Sequence, residues 1–181
     1  MGREIRRVPG DWKHPTTGYG SKLRFVPLFG GSFAESAAEW DEGAAKWAEG
    51  LRKDWGSSFD GTGWQPREAD DGDSFEEWTG ARPREDEYMP DWPAEQRTHL
   101  MMYENTSEGT PLSPAFETPE ELARWLADNN ASAMGCQGAT YEQWLATCRA
   151  GWAPSMVSGG GAGIRSGVAA MADLSPPKGK A

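Results

Sequence analysis

A chain of 181 residues, 37% of them hydrophobic and with a formal net charge of −10, has the length of one domain but a small share of residues for its core. No apolar run approaches the roughly 20 residues of a membrane-spanning helix, and the first residues lack the apolar stretch of a secretory signal. We therefore expect a cytoplasmic protein that binds no membrane and keeps its two cysteines reduced. The acidic balance argues against direct nucleic-acid binding, which requires a basic face.

The charge is concentrated in one segment. Residues 1–30 carry six basic and two acidic side chains, whereas residues 56–95 carry twelve acidic and three basic ones. Each of the ten tryptophans can bury a large area, so we expect a core of aromatic and alanine side chains.

Two short strands are predicted near the N-terminus. The first covers residues 3–8 and is followed by a proline, which ends it. In residues 22–29 the apolar Leu23 and Phe25 alternate with basic side chains, which is typical of a half-buried strand. Pro27 places this second strand at the edge of a sheet, or ends it.

The clearest helix is predicted over residues 32–51. Ser32 and Glu35 have the spacing of a capping box. Gly43 lowers the stability of the helix by roughly 1 kcal/mol relative to Ala, so we expect packing on the core to stabilise it. One apolar stripe provides that contact, and its members are Phe33, Ala37, Trp40, Ala44, Trp47 and Leu51.

The periodic pattern disappears between residues 56 and 90. This segment is rich in Gly, Asp, Glu and Pro, and Trp64 and Trp78 stand isolated within it. Such a composition predicts an acidic insert that is a long loop or is poorly ordered.

A strand and two capped helices are predicted in the second half of the chain. Residues 97–104 form an apolar run of strand length. Each of the two helices carries a tryptophan on its apolar face, and Gly151 follows the end of the second helix. Their N-termini are marked by the capping pairs Thr118 with Glu121 and Thr140 with Gln143.

Together these elements predict an α+β fold with a small sheet of few strands, one long amphipathic helix and two short helices packed by tryptophan. We expect a single domain over residues 1–157, with the acidic insert at residues 56–90. The Gly- and Pro-rich residues 158–181 are predicted to be a flexible tail, dispensable for folding, with a short helix near residues 168–174.

No motif for catalysis or for a cofactor is present in the sequence. His14, His99, Cys136 and Cys148 lack the paired spacing of a structural zinc site, so we expect no metal and no cofactor. Cys148 lies on an apolar helix face and is predicted to be a core residue. The carboxylates of residues 56–95, with tryptophans that can stack on sugars, leave a glycosidase-like hydrolase open as an alternative.

The acidic insert and one loop are the predicted partner-binding surfaces. Carboxylates next to exposed aromatic rings can meet a basic surface on a partner protein, and a loop between a strand and a helix is a usual place for a ligand. The candidate residues are Asp70, Asp71, Asp73, Glu76, Glu77, Trp78, Trp64, Asn105, Ser107 and Glu108.

Four segments resemble, in this order, a family of proteins from tailed bacteriophages and prophages: REIRRVPGDWKHP, YMPDWP, YENTSEGTPLSPAFETPEELARWLADNNAS and TYEQWL. The resemblance implies a phage-encoded protein in a bacterial cytoplasm, and it carries over no catalytic residue. We expect a non-catalytic protein that binds a host or phage protein. Its most specific form is an inhibitor of host defence, of the anti-CRISPR or anti-restriction kind, that binds a basic nucleic-acid-binding host protein. A small hydrolase and a virion or assembly component are the alternatives.

Overall fold

The structure, a computed structural model, describes four stretches of the chain: residues 2–54, 63–105, 109–158 and 163–174. In chain order, the elements of these stretches are β1 (Gly2–Val8), β2 (Thr16–Thr17), β3 (Arg24–Phe25), α1 (Phe33–Ala48), β4 (Leu51–Asp54), β5 (Gly63–Pro66), α2 (Phe75–Thr79), β6 (His99–Glu104), β7 (Thr110–Pro111), α3 (Pro119–Asp128), α4 (Tyr141–Ala150), β8 (Trp152–Pro154), β9 (Met156–Ser158), β10 (Ile164–Ser166) and α5 (Gly167–Leu174). The fold is α+β, as predicted.

The chain divides into two compact units. The sheet unit comprises residues 1–30 and 90–181, and the acidic unit comprises residues 31–89. The acidic unit contains sixteen acidic and six basic residues, so it holds the whole formal charge of −10, while the charges of the sheet unit cancel. The segment predicted as an insert, residues 56–90, therefore belongs, up to residue 89, to a larger unit that also includes α1.

The sheet unit is built on four antiparallel strands in the order β7, β6, β1, β8. The two central strands, β1 and β6, are those predicted at residues 3–8, before a proline, and in the apolar run at residues 97–104. They pair from Arg3 opposite Glu104 to Val8 opposite His99, so their side chains alternate between the two faces of the sheet.

Helices α3, α4 and α5 cover one face of this sheet. Leu100 and Met102 of β6 meet Leu126 and the fully buried Trp144 there, in the main hydrophobic core. Both predicted capping boxes are present, with Thr118 and Thr140 each accepting a hydrogen bond from the backbone N–H three residues on. After α4 the backbone of Gly151 has a φ of 85°, a left-handed conformation that glycine adopts at low cost and that ends the helix.

The prediction of a second strand over residues 22–29 is wrong for most of these residues. Only Arg24 and Phe25 form a strand, β3, which pairs with β2 alone. Leu23 is 57% and Phe25 47% exposed, so the alternation does not mark a buried face. The loss of the amide N–H at Pro27 fits a strand that stops after two residues.

The predicted flexible tail is also corrected for residues 163–174. Strand β10 pairs with β9, and α5 follows it close to the predicted short helix. Val168 of α5 is fully buried in the main core, and Ala170 is 8% exposed. The small apolar side chains of this helix allow it to pack closely beside α4. Residues 159–162 and 175–181 lie outside the described part of the chain.

In the acidic unit, the predicted long helix is present but shorter. The side chain of Ser32 accepts a hydrogen bond from the Glu35 N–H at the start of α1, and Ala37 and Trp47 of the predicted stripe are buried. The helix ends at Ala48, and Leu51 begins β4 instead of continuing the helix. Gly50, with a φ of 82°, permits this change of direction.

The predicted long loop after residue 56 is wrong for residues 63–66 and 75–79, which form a strand and a helix. Strand β5 pairs with β4 in an antiparallel hairpin, and α2 begins at a capping box formed by Ser74 and Glu77. These short elements have too few residues to show a hydrophobic period, so composition alone indicated a loop. Residues 55–62 lie outside the described part.

Among the described residues, the helices are all too short or too polar to cross a lipid bilayer.

Candidate functional site

A cleft of about 310 Å³ opens within the acidic unit. One wall is the α1 face that carries Glu39, Trp40 and Glu42, and Trp64 of the hairpin also lines it. Residues of α2 and of the segment after it also line the cleft, and Phe75 is the first of them. The volume lies at the lower end of the range for small-ligand pockets.

Gly43 brings α2 close to α1. This glycine is buried, and a Cβ atom at its position would overlap the ring of Phe75. The glycine that weakens the helix in isolation therefore makes room for an aromatic side chain. The interface between α1 and α2 depends on the contact of Gly43 with the Phe75 ring. No local sequence pattern indicates this contact, because the two residues lie far apart in the sequence.

Aromatic rings line the cleft and pack against one another. The Trp40 and Phe75 rings meet edge to face with centroids 5.2 Å apart, an arrangement that favours both rings. Behind them, the centroid of buried Trp47 lies 5.9 Å from that of Phe75 and 5.8 Å from that of Trp78. The Trp40 indole N–H donates a hydrogen bond of 3.1 Å to the Gly80 carbonyl, which fixes the orientation of the ring.

The carboxylates of α1 make the rim of the cleft acidic. Glu39 is paired with Lys53 of β4. On the next face of the helix, Arg82 donates two hydrogen bonds of 2.8 Å to Asp41, and these lower the pKa of that carboxyl. Glu42 lines the cleft and makes no ion pair with any residue that the structure describes. Glu42 thus has no close ion pair beside the aromatic lining residues, and the Lys46 ammonium, one turn further along α1, attracts it only at longer range.

The predicted acidic site residues fall into two groups. Asp71 is 8% exposed; it accepts a hydrogen bond from Arg52 and another from the Glu68 N–H. Glu77 accepts hydrogen bonds from the Asp73 and Ser74 N–H groups. These two carboxylates hold the local structure together. The other group is exposed and makes no ion pair within the described part of the chain: Asp70, Asp73 and Glu76.

The two predicted tryptophans come together at the cleft. Trp64 on β5 and Trp78 on α2 both line it. The guanidinium carbon of Arg52 lies 5.3 Å from the Trp78 ring centroid, which is within the range of a cation–π contact. The two tryptophans, isolated in the sequence, therefore lie beside one cleft, and their role in binding a partner stays a prediction.

The predicted loop site lies in the other unit and has a structural role where it is described. The Asn105 side chain accepts a hydrogen bond from the Gly2 N–H, and the Asn105 N–H donates a hydrogen bond of 3.2 Å to the Gly2 carbonyl. These bonds fix the start of β1 beside the end of β6. Ser107 and Glu108 lie outside the described residues.

A buried polar network lies on the sheet face opposite α3–α5. His14 Nε2 is 2.6 Å from the Val26 carbonyl, which only accepts, so this nitrogen carries the hydrogen. The other ring nitrogen then accepts from the Tyr103 hydroxyl at 3.2 Å, while the Trp12 indole N–H donates to that hydroxyl at 3.3 Å. Burial lowers the pKa of His14 and raises that of Tyr103.

This network stabilises the fold and does not form a ligand site. Tyr103 is fully buried and His14 is 7% exposed, so a substrate has no access to either group. Arg6 lies 4.4 Å from the Tyr103 ring centroid and donates to the Leu28 carbonyl. Together these contacts hold residues 9–29 against the sheet.

The two cysteine thiols differ in exposure. Cys148 is buried in the core, as predicted, and burial raises its pKa to about 12. Cys136 is exposed. The described residues contain no group of three or more His, Cys, Asp or Glu side chains placed to hold a metal ion.

None of the protein families, curated proteins or solved structures compared with the chain matches it.

Sequence reasoning missed Trp40, Phe75 and Glu42 as cleft residues. Trp40 was assigned to a core stripe, and Phe75 had no periodic neighbour that could place it. One signal was available: the predicted stripe of α1 carries two tryptophans and acidic side chains directly beside them. A helix of this kind presents both apolar and charged surface at the edge of a groove.

Proposed function

We propose that the protein is a non-catalytic, phage-encoded binding protein that docks its acidic unit onto a basic, nucleic-acid-binding groove of a host or phage protein in the bacterial cytoplasm. The observation that carries the proposal is the separation of charge, because residues 31–89 hold the whole formal charge of −10 in one compact unit. An inhibitor of host defence, of the anti-CRISPR or anti-restriction kind, would cover a groove that nucleic acid otherwise occupies.

The internal ion pairs support this proposal, since they leave an excess of carboxylates at the surface. Five of the six basic side chains of the acidic unit pair with carboxylates of the same unit. The sixth, Arg67, lies 3.8 Å over the Trp47 ring centroid and donates to the Gly72 carbonyl. Exposed carboxylates without an ion pair in the described part, such as Asp70, Asp73 and Glu76, are available to attract a cationic partner.

The cleft gives the hydrolase alternative one favourable feature, since it contains two carboxylates beside tryptophans. Glu39 and Glu42 are three residues apart on α1 and therefore lie on one wall. Glycosidases need carboxyl groups on opposite sides of the scissile bond, and the other described lining residues include no carboxylate. Glu39 is moreover paired with Lys53. The arrangement favours binding over hydrolysis.

The test begins with capture of partners by the tagged full chain from phage-infected bacteria, followed by identification by mass spectrometry. We expect a nucleic-acid-binding protein whose capture is lost when duplex DNA is added in excess. Recovery of the chain in purified virions, without such a partner, would favour the assembly alternative and contradict the proposal.

Association kinetics with the captured partner then test the acidic surface. The variant Asp70→Asn/Asp73→Asn/Glu76→Gln should associate about tenfold more slowly and depend less on salt, with little change in dissociation. A control variant with the same net charge carries its changes on the sheet unit: Asp91→Asn/Asp128→Asn/Glu95→Gln. It should associate like the parent. Equal effects of both variants would show that net charge alone acts, and the acidic unit would not be the docking surface.

A further inference from the structure

The cleft of the acidic unit combines aromatic walls with a negative rim. Its aromatic lining residues are Trp40, Trp64, Phe75 and Trp78. Its charged lining residues are Glu39, Glu42 and Lys53, which sum to a formal charge of −1. The faces of aromatic rings attract cations, most strongly those of tryptophan, so both features of the cleft favour a cationic group.

The carboxylate available to such a group is Glu42. The ammonium group of Lys53 is paired with Glu39, and that of Lys46, one turn beyond Glu42, is 2.8 Å from Glu49. Glu42 makes no ion pair among the described residues. The Lys46 ammonium attracts Glu42 only at longer range, so a cation entering the cleft would meet a carboxylate without a close ion-pair partner next to the aromatic rings.

The acidic unit itself shows which cation its tryptophans accommodate. Arg67 lies 3.8 Å over the Trp47 ring, and Arg52 lies 5.3 Å from the Trp78 ring. A guanidinium is planar and weakly hydrated, so it stacks on an aromatic face at a lower desolvation cost than an ammonium. Among protein side chains, arginine is therefore the best match for the cleft.

We propose that the cleft receives an arginine side chain from a basic peptide segment of the partner. This inference rests on the proposed function and names the group that the partner inserts. The guanidinium stacks between Trp64 and the Trp40 side of the cleft and pairs with Glu42. A cleft of about 310 Å³ holds one such side chain together with part of the adjoining peptide.

The test uses the full chain and a small probe, Nα-acetyl-arginine amide, followed by NMR of the tryptophan indole N–H groups. The ten indole signals are assigned with single Trp→Phe variants. We expect the probe to shift the signals of Trp40, Trp64 and Trp78, with millimolar affinity. The signal of Trp144, fully buried in the sheet unit, should stay in place. The citrulline analogue has nearly the same shape without the charge and should bind at least tenfold more weakly.

Variants localise the site. Glu42→Gln should weaken binding of the arginine probe about two- to fivefold, as expected for a partly exposed ion pair. Trp64→Leu should weaken it about tenfold. The matched control Glu76→Gln removes an exposed carboxylate of α2 outside the cleft lining and should have no effect. Far-UV circular dichroism of each variant confirms that it is folded.

Three results would overturn the inference: equal binding of the citrulline analogue, no effect of Glu42→Gln and Trp64→Leu in folded variants, or shifts caused only by a chitooligosaccharide, which would indicate a sugar site. Failure of this inference is distinguishable from failure of the proposed function. If a folded variant no longer binds arginine but still captures the partner, the cleft is not the docking site. The charged surface of the acidic unit then remains the docking site.

Discussion

At the scale of single residues, the two thiols differ in accessibility and in acidity. Cys148 is buried, and both burial and the nearby Glu120 carboxylate raise its pKa, to about 12. Because the thiolate is the reactive form, iodoacetamide at pH 8 should alkylate Cys136, which is exposed, and leave Cys148 unmodified in the native protein. Mass spectrometry of tryptic peptides measures both.

Two further samples complete this experiment. Addition of urea should make Cys148 reactive, and Cys136→Ser should leave the native protein without alkylation. Modification of Cys148 in the native protein at the same rate as Cys136 would show that α4 opens readily and does not shield its thiol.

His14 should make stability depend on pH in a defined direction. Burial lowers its pKa below the usual value of 6.5, so between 6.5 and the lowered pKa the unfolded chain binds a proton that the folded chain does not. Stability due to His14 is therefore fully present above pH 6.5 and is lost as the pH falls through this window. Urea melts between pH 5 and pH 8 measure the effect.

The variant His14→Phe tests the assignment. It loses the hydrogen bonds to Val26 and Tyr103, so we expect a lower free energy of unfolding at pH 8 but a weaker decline on acidification. The matched control Lys13→Gln, at an exposed position, should follow the parent. An unchanged pH profile in His14→Phe would contradict the role of His14.

At the scale of elements, α5 contributes to the hydrophobic core, although the composition of its segment indicates a flexible tail. Val168 is fully buried in the main core, whereas Ile164, four residues earlier in β10, is 67% exposed. We expect Val168→Ala to lower the free energy of unfolding by about 2 kcal/mol. Ile164→Ala, the matched control, should change it by less than about 0.5 kcal/mol. Urea denaturation followed by circular dichroism measures both.

The three helices of the sheet unit show where sequence-based prediction succeeds and where it fails. Helices α3 and α4 were predictable because their start signals are local: Thr118 and Thr140 each bond to a backbone N–H three residues on. The position of α5 was also predictable from its small apolar residues. Its burial was not, because that depends on packing against α4 and β8, which no pattern within the helix itself indicates.

Some residues of the candidate site could be named from the sequence, but their arrangement in space could not. The isolated tryptophans of the acidic segment, Trp64 and Trp78, do line the cleft. Asp71 could not be distinguished from its neighbour Asp70 in the sequence, yet it is turned inward to Arg52, nineteen residues earlier. Pairings over such distances follow from the hairpin and from the close approach at Gly43, and neither leaves a periodic signal.

At the scale of the whole molecule, charge separates the two units more sharply than any structural feature. The sheet unit is formally neutral and has a core of buried aliphatic and aromatic residues. The acidic unit is stabilised by its packed tryptophan rings and ion pairs, while its excess negative charge opposes the compact state. A unit selected for stability alone would carry fewer uncompensated carboxylates, which supports a role of this charge in binding.

The stability of the acidic unit should therefore depend on salt. The Debye length of the solution falls from about 30 Å at 0.01 M to about 3 Å at 1 M ionic strength. Screening weakens exposed ion pairs, each contributing about 0.2–1 kcal/mol, but it also weakens repulsion among the excess carboxylates of residues 31–89. Because repulsion acts among many more pairs of groups, we expect hydrogen exchange of the α1 amides to slow at high salt, as measured by mass spectrometry. Amides of α4, in the neutral sheet unit, serve as the internal reference and should show little change. Faster exchange in α1 at 1 M salt would mean that the local ion pairs outweigh the repulsion, and that the acidic surface costs the fold little.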